Sequence, residues 1–288
     1  MRTIKDIRKA AKVDMGGILL DQALPINGID QIDPFLLVHH WASEYKGGQK
    51  QKNVGVGPHP HRGFSPVTFI FKGGVHHRDS KGHESVVNEG GTQWMNSGKG
   101  LIHSERPRKD IAENGGEFEI IQFWVNAPSN KKMEEPSYQP LSAQETPTLL
   151  SEDKKVKIGL VAGELMGKKG KINPHSELLA LRLEIEKGGE IKIPVPKEYN
   201  VFVYQLNGNS LINEKNINDK ELVLFENDNE DIIIKGNENS RAILLAGKPI
   251  NEPVATYGPF VMNSQSEIVS ALNDFQSGKM GTLVEKFD

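Results

Sequence analysis

Short runs of valine, isoleucine, phenylalanine, tyrosine and tryptophan, each closed by a glycine or asparagine turn, recur along this chain and restrict what it can become. Residues 66–71 end at Gly73-Gly74, residues 92–96 end at Ser97-Gly98, and 101–105 follow at once. The run over 117–125 is the longest of the first half. Strand-length segments this frequent point to an all-β sandwich or barrel rather than to alternating βαβ units. Between 126 and 148 the character changes. Pro128, Pro136, Pro140 and Pro147, with Ser129, Asn130 and Ser137, read as a connector. The β signal then resumes at 178–186, 201–206, 221–225, 231–235 and 241–246, with turns such as Lys187-Gly188-Gly189 and Asn207-Gly208-Asn209 between the runs. A length of 288 residues suits two such domains, divided here as 1–138 and 139–288. One helix is signalled near the end. Ser264 and Glu267 have capping-box spacing, Ile268, Ala271, Leu272 and Phe275 share a face, and Gly278 supplies a stop. That face is packing surface.

Composition removes several function classes. A net charge of -3 and a pI near 6.3 leave no basic face with which to neutralise phosphates. The densest basic cluster, Lys168-Lys169-Gly170-Lys171, is broken by glycine and reads as a solvated loop. No cysteine is present, so disulfides, thiolate nucleophiles and iron–sulfur ligation are excluded, and any metal must be held by nitrogen and oxygen. Charged residues interrupt the segment after Met1, and no apolar run could cross a bilayer. The expectation is a soluble, cytoplasmic protein.

Eight of the nine histidines lie between residues 39 and 103, so a histidine-built metal centre belongs to the first half. In His59-Pro60-His61, extended backbone sends both imidazoles to one face, and Pro60 calls for an edge or irregular strand. His103-Ser104-Glu105 repeats the i, i+2 arrangement. Together the two segments offer three neutral imidazoles and one carboxylate to a single interior point, a donor set suited to Fe(II), Mn, Co, Ni, Cu or Zn. His76, His77 and His83 sit among Arg78, Asp79, Lys81 and Glu84 and read as a polar strand and turn. His175 reads as a loop residue, and Trp94 and Met95 as packing.

His59-Pro60-His61-Arg62-Gly63-Phe64 and the stretch from Gln93-Trp94-Met95-Asn96 to His103-Ser104-Glu105 resemble the pirin family of bicupins. Asp33-Pro34-Phe35-Leu36-Leu37, Gln122-Phe123-Trp124-Val125-Asn126, Glu252-Pro253-Val254 and Tyr257-Gly258-Pro259-Phe260 fit the same pattern, so the resemblance spans nearly the whole chain. It implies two cupin domains of double-stranded β-helix, or jelly-roll, form with a short C-terminal helix. One metal, iron(II) foremost, is implied on His59, His61, His103 and Glu105, with the second cupin metal-free. Two departures stand out. Ser65-Pro66 follows the first motif where the family commonly has a glutamate, and His39-His40 stands where an acidic residue is usual.

Similarity to bacterial pirins implies a quercetin dioxygenase activity: a flavonol or related enolic substrate, dioxygen as co-substrate, and Glu105 as the catalytic proton acceptor. Similarity to eukaryotic pirins implies a rival, an iron-dependent, redox-sensing binding protein that docks on a transcription factor or enzyme. Neither reading involves nucleic acid directly, or a membrane.

Overall fold

The structure is a computed structural model and describes residues 1–287. The chain forms two compact units, each discontinuous in sequence.

The unit made of Trp41–Ala143 and Ile250–Asp288 contains the histidine motifs. Its strands are β1 (Val56–His61), β2 (Phe64–Lys72), β3 (Gly74–Asp79), β4 (Glu84–Asn88), β5 (Thr92–Asn96), β6 (Leu101–Pro107), β7 (Gly116–Asn126) and β8 (Ser137–Leu141). One antiparallel sheet has the order β1-β6-β3-β4, and in the other β8-β5-β2-β7 run side by side. Every residue of β2 from Phe64 to Phe71 is buried, as expected of a β-branched and aromatic segment covered on both faces. Two-sheet, antiparallel architecture of this kind is the cupin form. The proline-rich stretch read as a connector also contributes β8. Pro140 is tolerated there because β8 is an edge strand, bonded only to β5, and needs no second set of N–H donors.

The other unit combines Met1–His40 with Gln144–Pro249. Seven antiparallel strands follow the order Ile4–Lys9, Glu221–Phe225, Asn200–Asn207, Ser240–Gly247, Leu178–Ile185, Val156–Ala162 and Thr148–Leu150, accompanied by a four-stranded sheet that includes Glu190–Pro194 and Asp231–Gly236. Its interior is almost wholly aliphatic. Leu179, Leu181, Leu183 and Ile185 alternate inward from one strand and meet Val203, Ile232, Ile234 and Leu244. This is a second cupin, filled by side chains.

The middle junction of the units, at 143/144, lies near the division expected at 138/139, but both ends exchange. Ile4–Lys9 adds an edge strand beside Glu221–Phe225, which ties the start of the chain to the later unit. The terminal helix, assigned from sequence to the second domain, makes its contacts within the unit that contains the histidine motifs. Helix α2 (Gln265–Gln276; α1 is Lys109–Asn114) packs Ile268 and Ala271 with Phe260 and Met262, and its Asp274 pairs with buried Arg62 at 2.9 Å. Its cap is close to that expected: Ser264 Oγ accepts from the Glu267 N–H, while Glu267 Oε2 accepts from the Asn263 N–H rather than from that of Ser264. No helix among the described residues is long and apolar enough to cross a membrane.

His39-His40 now has a structural setting. His40 is fully buried, with Nδ1 facing the Tyr204 hydroxyl at 3.2 Å and Lys220 Nζ at 3.0 Å. His39 donates from Nε2 to Gln22 Oε1 at 2.9 Å, and burial pushes it down to about 4 from the ordinary 6.5. Below pH 6.5 an unfolded chain binds a proton that the folded His39 refuses, so this stability is present above 6.5 and lost as pH falls through about 4. His39→Gln can still donate to Gln22 but cannot titrate. It should remove on the order of 2–3 kcal/mol from the acid destabilisation between pH 7 and 4, measured as the difference in urea unfolding free energy between variant and wild type.

Candidate metal centre

Register builds the site. In the antiparallel β1–β6 pair, His103 lies directly opposite His59 and Leu101 opposite His61. The i, i+2 phase of β1 then carries His61 to the same face as His59. Ring centroids are 4.3 Å apart for His59 and His103, 4.7 Å for His59 and His61, and 4.9 Å for His61 and His103. One nitrogen from each ring lies within 4.8 Å of the other two. Pro60 fits because β1 is the edge of its sheet, as expected.

The donor chemistry suits a metal. His59 Nδ1 faces the Gly57 carbonyl at 2.8 Å and His61 Nδ1 faces that of Pro259 at 3.4 Å. A carbonyl only accepts, so both rings carry a proton on Nδ1, which leaves Nε2 as the nitrogen available for ligation. His103 is buried, and neither of its ring nitrogens has a hydrogen-bond partner. Such an imidazole is costly unless something else satisfies it, and a bound cation is the group these three lone pairs would satisfy. Burial, reinforced by His59, holds His61 well below the usual histidine range. Burial with His59, His61 and His77 does the same for His103. Both are neutral and ready to ligate at neutral pH.

Glu105, the fourth predicted donor, is not in this cluster of three. It projects from the same face of β6, two residues beyond His103, after a register shift against β1. Its carboxylate is engaged by the opposite sheet. Oε1 accepts from Thr68 Oγ1 at 3.0 Å and from Gln93 Nε2, and Oε2 accepts from Gln122 Nε2 at 2.7 Å. Three neutral donors fix the carboxyl group on the face of β6 that carries His103. Ser65, of the Ser65-Pro66 pair that follows the first motif, donates to Asn96 Oδ1 at 2.8 Å.

One neighbour escaped the sequence reading. His77, read as part of a polar strand and turn, is on strand β3 but faces inward: it is 1% exposed, stacks on Tyr138 at 4.0 Å, and its ring lies 5.4 Å from that of His103. Its Nε2 faces Asp79 Oδ2 at 3.3 Å, and Asp79 is held in turn by His83 and by the backbone N–H groups of Lys81 and His83. The signal was present in the phase of β3, where His77 and Asp79 repeat the i, i+2 spacing and pair with Glu105 and His103. Aromatic rings border the other side of the cluster. His61 lies 5.1 Å from Phe64 and 5.5 Å from Trp124, which are themselves 4.3 Å apart. Trp94 is fully buried against Phe123 and is core, as read.

The turn after His61 is braced from three sides. Arg62 is buried, donates from Nε to the Lys99 carbonyl at 2.7 Å, and pairs with Asp274. Lys132, pushed down to about 8 by burial, donates to the carbonyls of Gly63 and Val261 and to Asn126 Oδ1.

Comparison with known proteins agrees with this architecture. A family model described as Pirin matches residues 18–125, and one described as Pirin C-terminal cupin domain matches residues 180–281. The chain is 36% identical over 265 residues to Pirin-like protein 2 of Arabidopsis thaliana, covering 89% of this chain and 78% of that protein. It is 35% identical over 259 residues to Pirin of Homo sapiens, covering 88% and 84%. Among solved structures, quercetin 2,3-dioxygenase from Acinetobacter baumannii matches with a TM-score of 0.93 at 31% identity, covering 99% of this chain and 100% of that one.

Proposed function

This chain belongs to the pirin family, and from that premise we propose that it is a metal-dependent dioxygenase that cleaves quercetin or a related enolic flavonol. The observation that carries the reading is the trio of imidazoles, half-buried His59 with buried His61 and His103, set against aromatic rings. Similarity to the Acinetobacter baumannii quercetin 2,3-dioxygenase supports the reaction class. These three histidines, with Glu105 able to join them, would hold one divalent transition metal, iron(II) in this proposal. Such an ion would acidify an enolic hydroxyl and provide a redox centre for dioxygen chemistry.

The remaining work falls to the protein. The half-buried rings of Trp124 and Tyr138, backed by buried Phe64 and His77, would border a planar flavonol. Glu105 is the group to take the substrate's hydroxyl proton, on whichever carboxylate oxygen gives up its Thr68, Gln93 or Gln122 donor. In the overall reaction both atoms of dioxygen enter the products and one ring carbon leaves as carbon monoxide.

Protein loaded anaerobically with Fe(II), then given quercetin and air, should bleach the flavonol absorbance while consuming oxygen and releasing carbon monoxide. Failure with every divalent metal tried would end the dioxygenase reading. Glu105→Gln separates the roles of the carboxylate. Retained metal with turnover lowered by roughly 10²–10⁴ marks a proton acceptor, whereas lost metal marks a ligand.

A further inference from the structure

On its outward face the sheet that carries the histidines bears two arginines. Along β6, His103 and Glu105 alternate with Ser104 and Arg106, and along β3, His77 and Asp79 alternate with Arg78. Arg106 and Arg78 are both nearly buried, and what covers them is the segment that follows α2. Residues 281–287 alternate in exposure. Leu283, Glu285 and Phe287 are half-buried while Thr282, Val284 and Lys286 are exposed, the pattern of an extended strand with one face down. Arg106 forms a two-pronged contact to Glu285, at 3.0 Å from Nε and 2.7 Å from Nη2. The Phe287 ring lies 5.1 Å from the Arg78 guanidinium carbon and 5.8 Å from that of Arg106.

Two further features distinguish this from ordinary chain packing. Among the described residues, no backbone–backbone hydrogen bond involves Thr282 to Phe287, and the segment's anchoring contacts are those of the Glu285 and Phe287 side chains. Arg78 Nη1 is buried without a hydrogen-bond partner and pairs with Glu285 Oε1 only by charge, at 3.9 Å, so the site has a donor that its occupant does not hydrogen-bond. A forked guanidinium for a carboxylate, two cations over one aromatic ring and a spare donor define a specific occupant.

We propose that Arg78 and Arg106 form a recognition site for extended acidic-x-aromatic peptide segments of a protein partner, and that Glu285-Lys286-Phe287 occupies this site in cis as a built-in competitor. The proposal is independent of the dioxygenase reading, because neither arginine faces the metal cluster.

A fluorescently labelled peptide with the sequence of residues 281–287 tests it on full-length chains by anisotropy. The E285A/F287A chain, whose own segment cannot dock, should bind the peptide. The wild-type chain should bind it roughly tenfold or more weakly, because a tethered competitor acts at an effective concentration on the order of millimolar. Adding R78Q and R106Q to the double variant should abolish binding, as should replacing the peptide's glutamate by glutamine and its phenylalanine by alanine. The near-isosteric E285Q/F287L chain repeats the measurement should the alanine pair fail to fold. Equal binding by wild-type and undocked chains, or binding that survives loss of both arginines, overturns the site.

Discussion

His103→Leu is expected to abolish metal binding and, in the metal-free state, to make the protein more stable than wild type. Leucine is close to histidine in volume and cannot ligate. His59 and His61 would remain as a two-nitrogen remnant, which is too few ligands for the tetrahedral or octahedral sites these ions adopt. Metal content after dialysis should fall from about one ion per chain to near none, a larger loss than the roughly 10- to 100-fold in affinity attached to partners that only orient a ligand. Oxygenase activity should vanish with it. The stability effect has the opposite sign for a separate reason. Both nitrogens of His103 are buried and unpartnered, so in the apo protein the ring loses its hydration and gains nothing in exchange. An unsatisfied buried polar group costs about 1–3 kcal/mol, and an apolar side chain of similar shape removes that cost. Melting of wild type and variant in the presence of a chelator measures the difference directly. A variant that melts lower than wild type would mean that His103 satisfies its nitrogens within the protein, and the metal reading would lose its main physical support.

Much of this was legible in the chain because strand periodicity and ligand spacing are local. The paired residues of His59-Pro60-His61 share a face wherever the backbone is extended, and Pro60 narrows their place to an edge or irregular strand, of which the structure shows the edge. That His103 would lie directly across from His59 is a matter of register, a long-range fact that the resemblance to pirins supplied and periodicity could not. Three features lay beyond local reading. His77 read as part of a polar strand and turn because its neighbours Arg78, Lys81 and Glu84 are charged, yet those residues occupy the other face or the turn while His77 faces inward. Burial of a polar residue depends on which sheet covers it, not on sequence neighbours. Pro140 marked a break correctly but hid a strand, since an edge position tolerates what a central one forbids. The exchange of chain ends between the units also left no local trace. Strand Ile4–Lys9 and helix α2 each show which face is apolar but not against which body that face will pack.

Gly63→Ala should produce the largest loss of stability of any single methyl group added near the site. Gly63 follows the His59-Pro60-His61-Arg62 segment with φ at +87°, and a Cβ built there would stand 1.9 Å from the Val261 carbonyl oxygen and 2.9 Å from Met262 Sδ. The first of these neighbours is backbone, so no side-chain rotation relieves the clash. Its strand, Phe260–Met262, is joined to this turn by the Val261 N–H to Arg62 carbonyl bond at 3.1 Å, and buried Lys132 bridges the carbonyls of Gly63 and Val261. Moving the strand away to admit a methyl group would break these bonds together and strand a buried ammonium. The expected cost exceeds about 4 kcal/mol, or roughly 10 °C or more in melting temperature, if the variant folds at all. Backbone strain alone accounts for a smaller part, and Gly82→Ala isolates that part. Gly82 lies in the same unit with φ at +90° and nothing within 4 Å of its would-be Cβ, so its variant should lose only about 1–2 kcal/mol. Because His61 is two residues from Gly63, metal affinity should fall with stability in Gly63→Ala and hold steady in Gly82→Ala. Two variants that melt within about 1 kcal/mol of each other would show that the close approach of Val261 does not constrain the turn, and that the histidine segment is positioned by its own strand pairing instead.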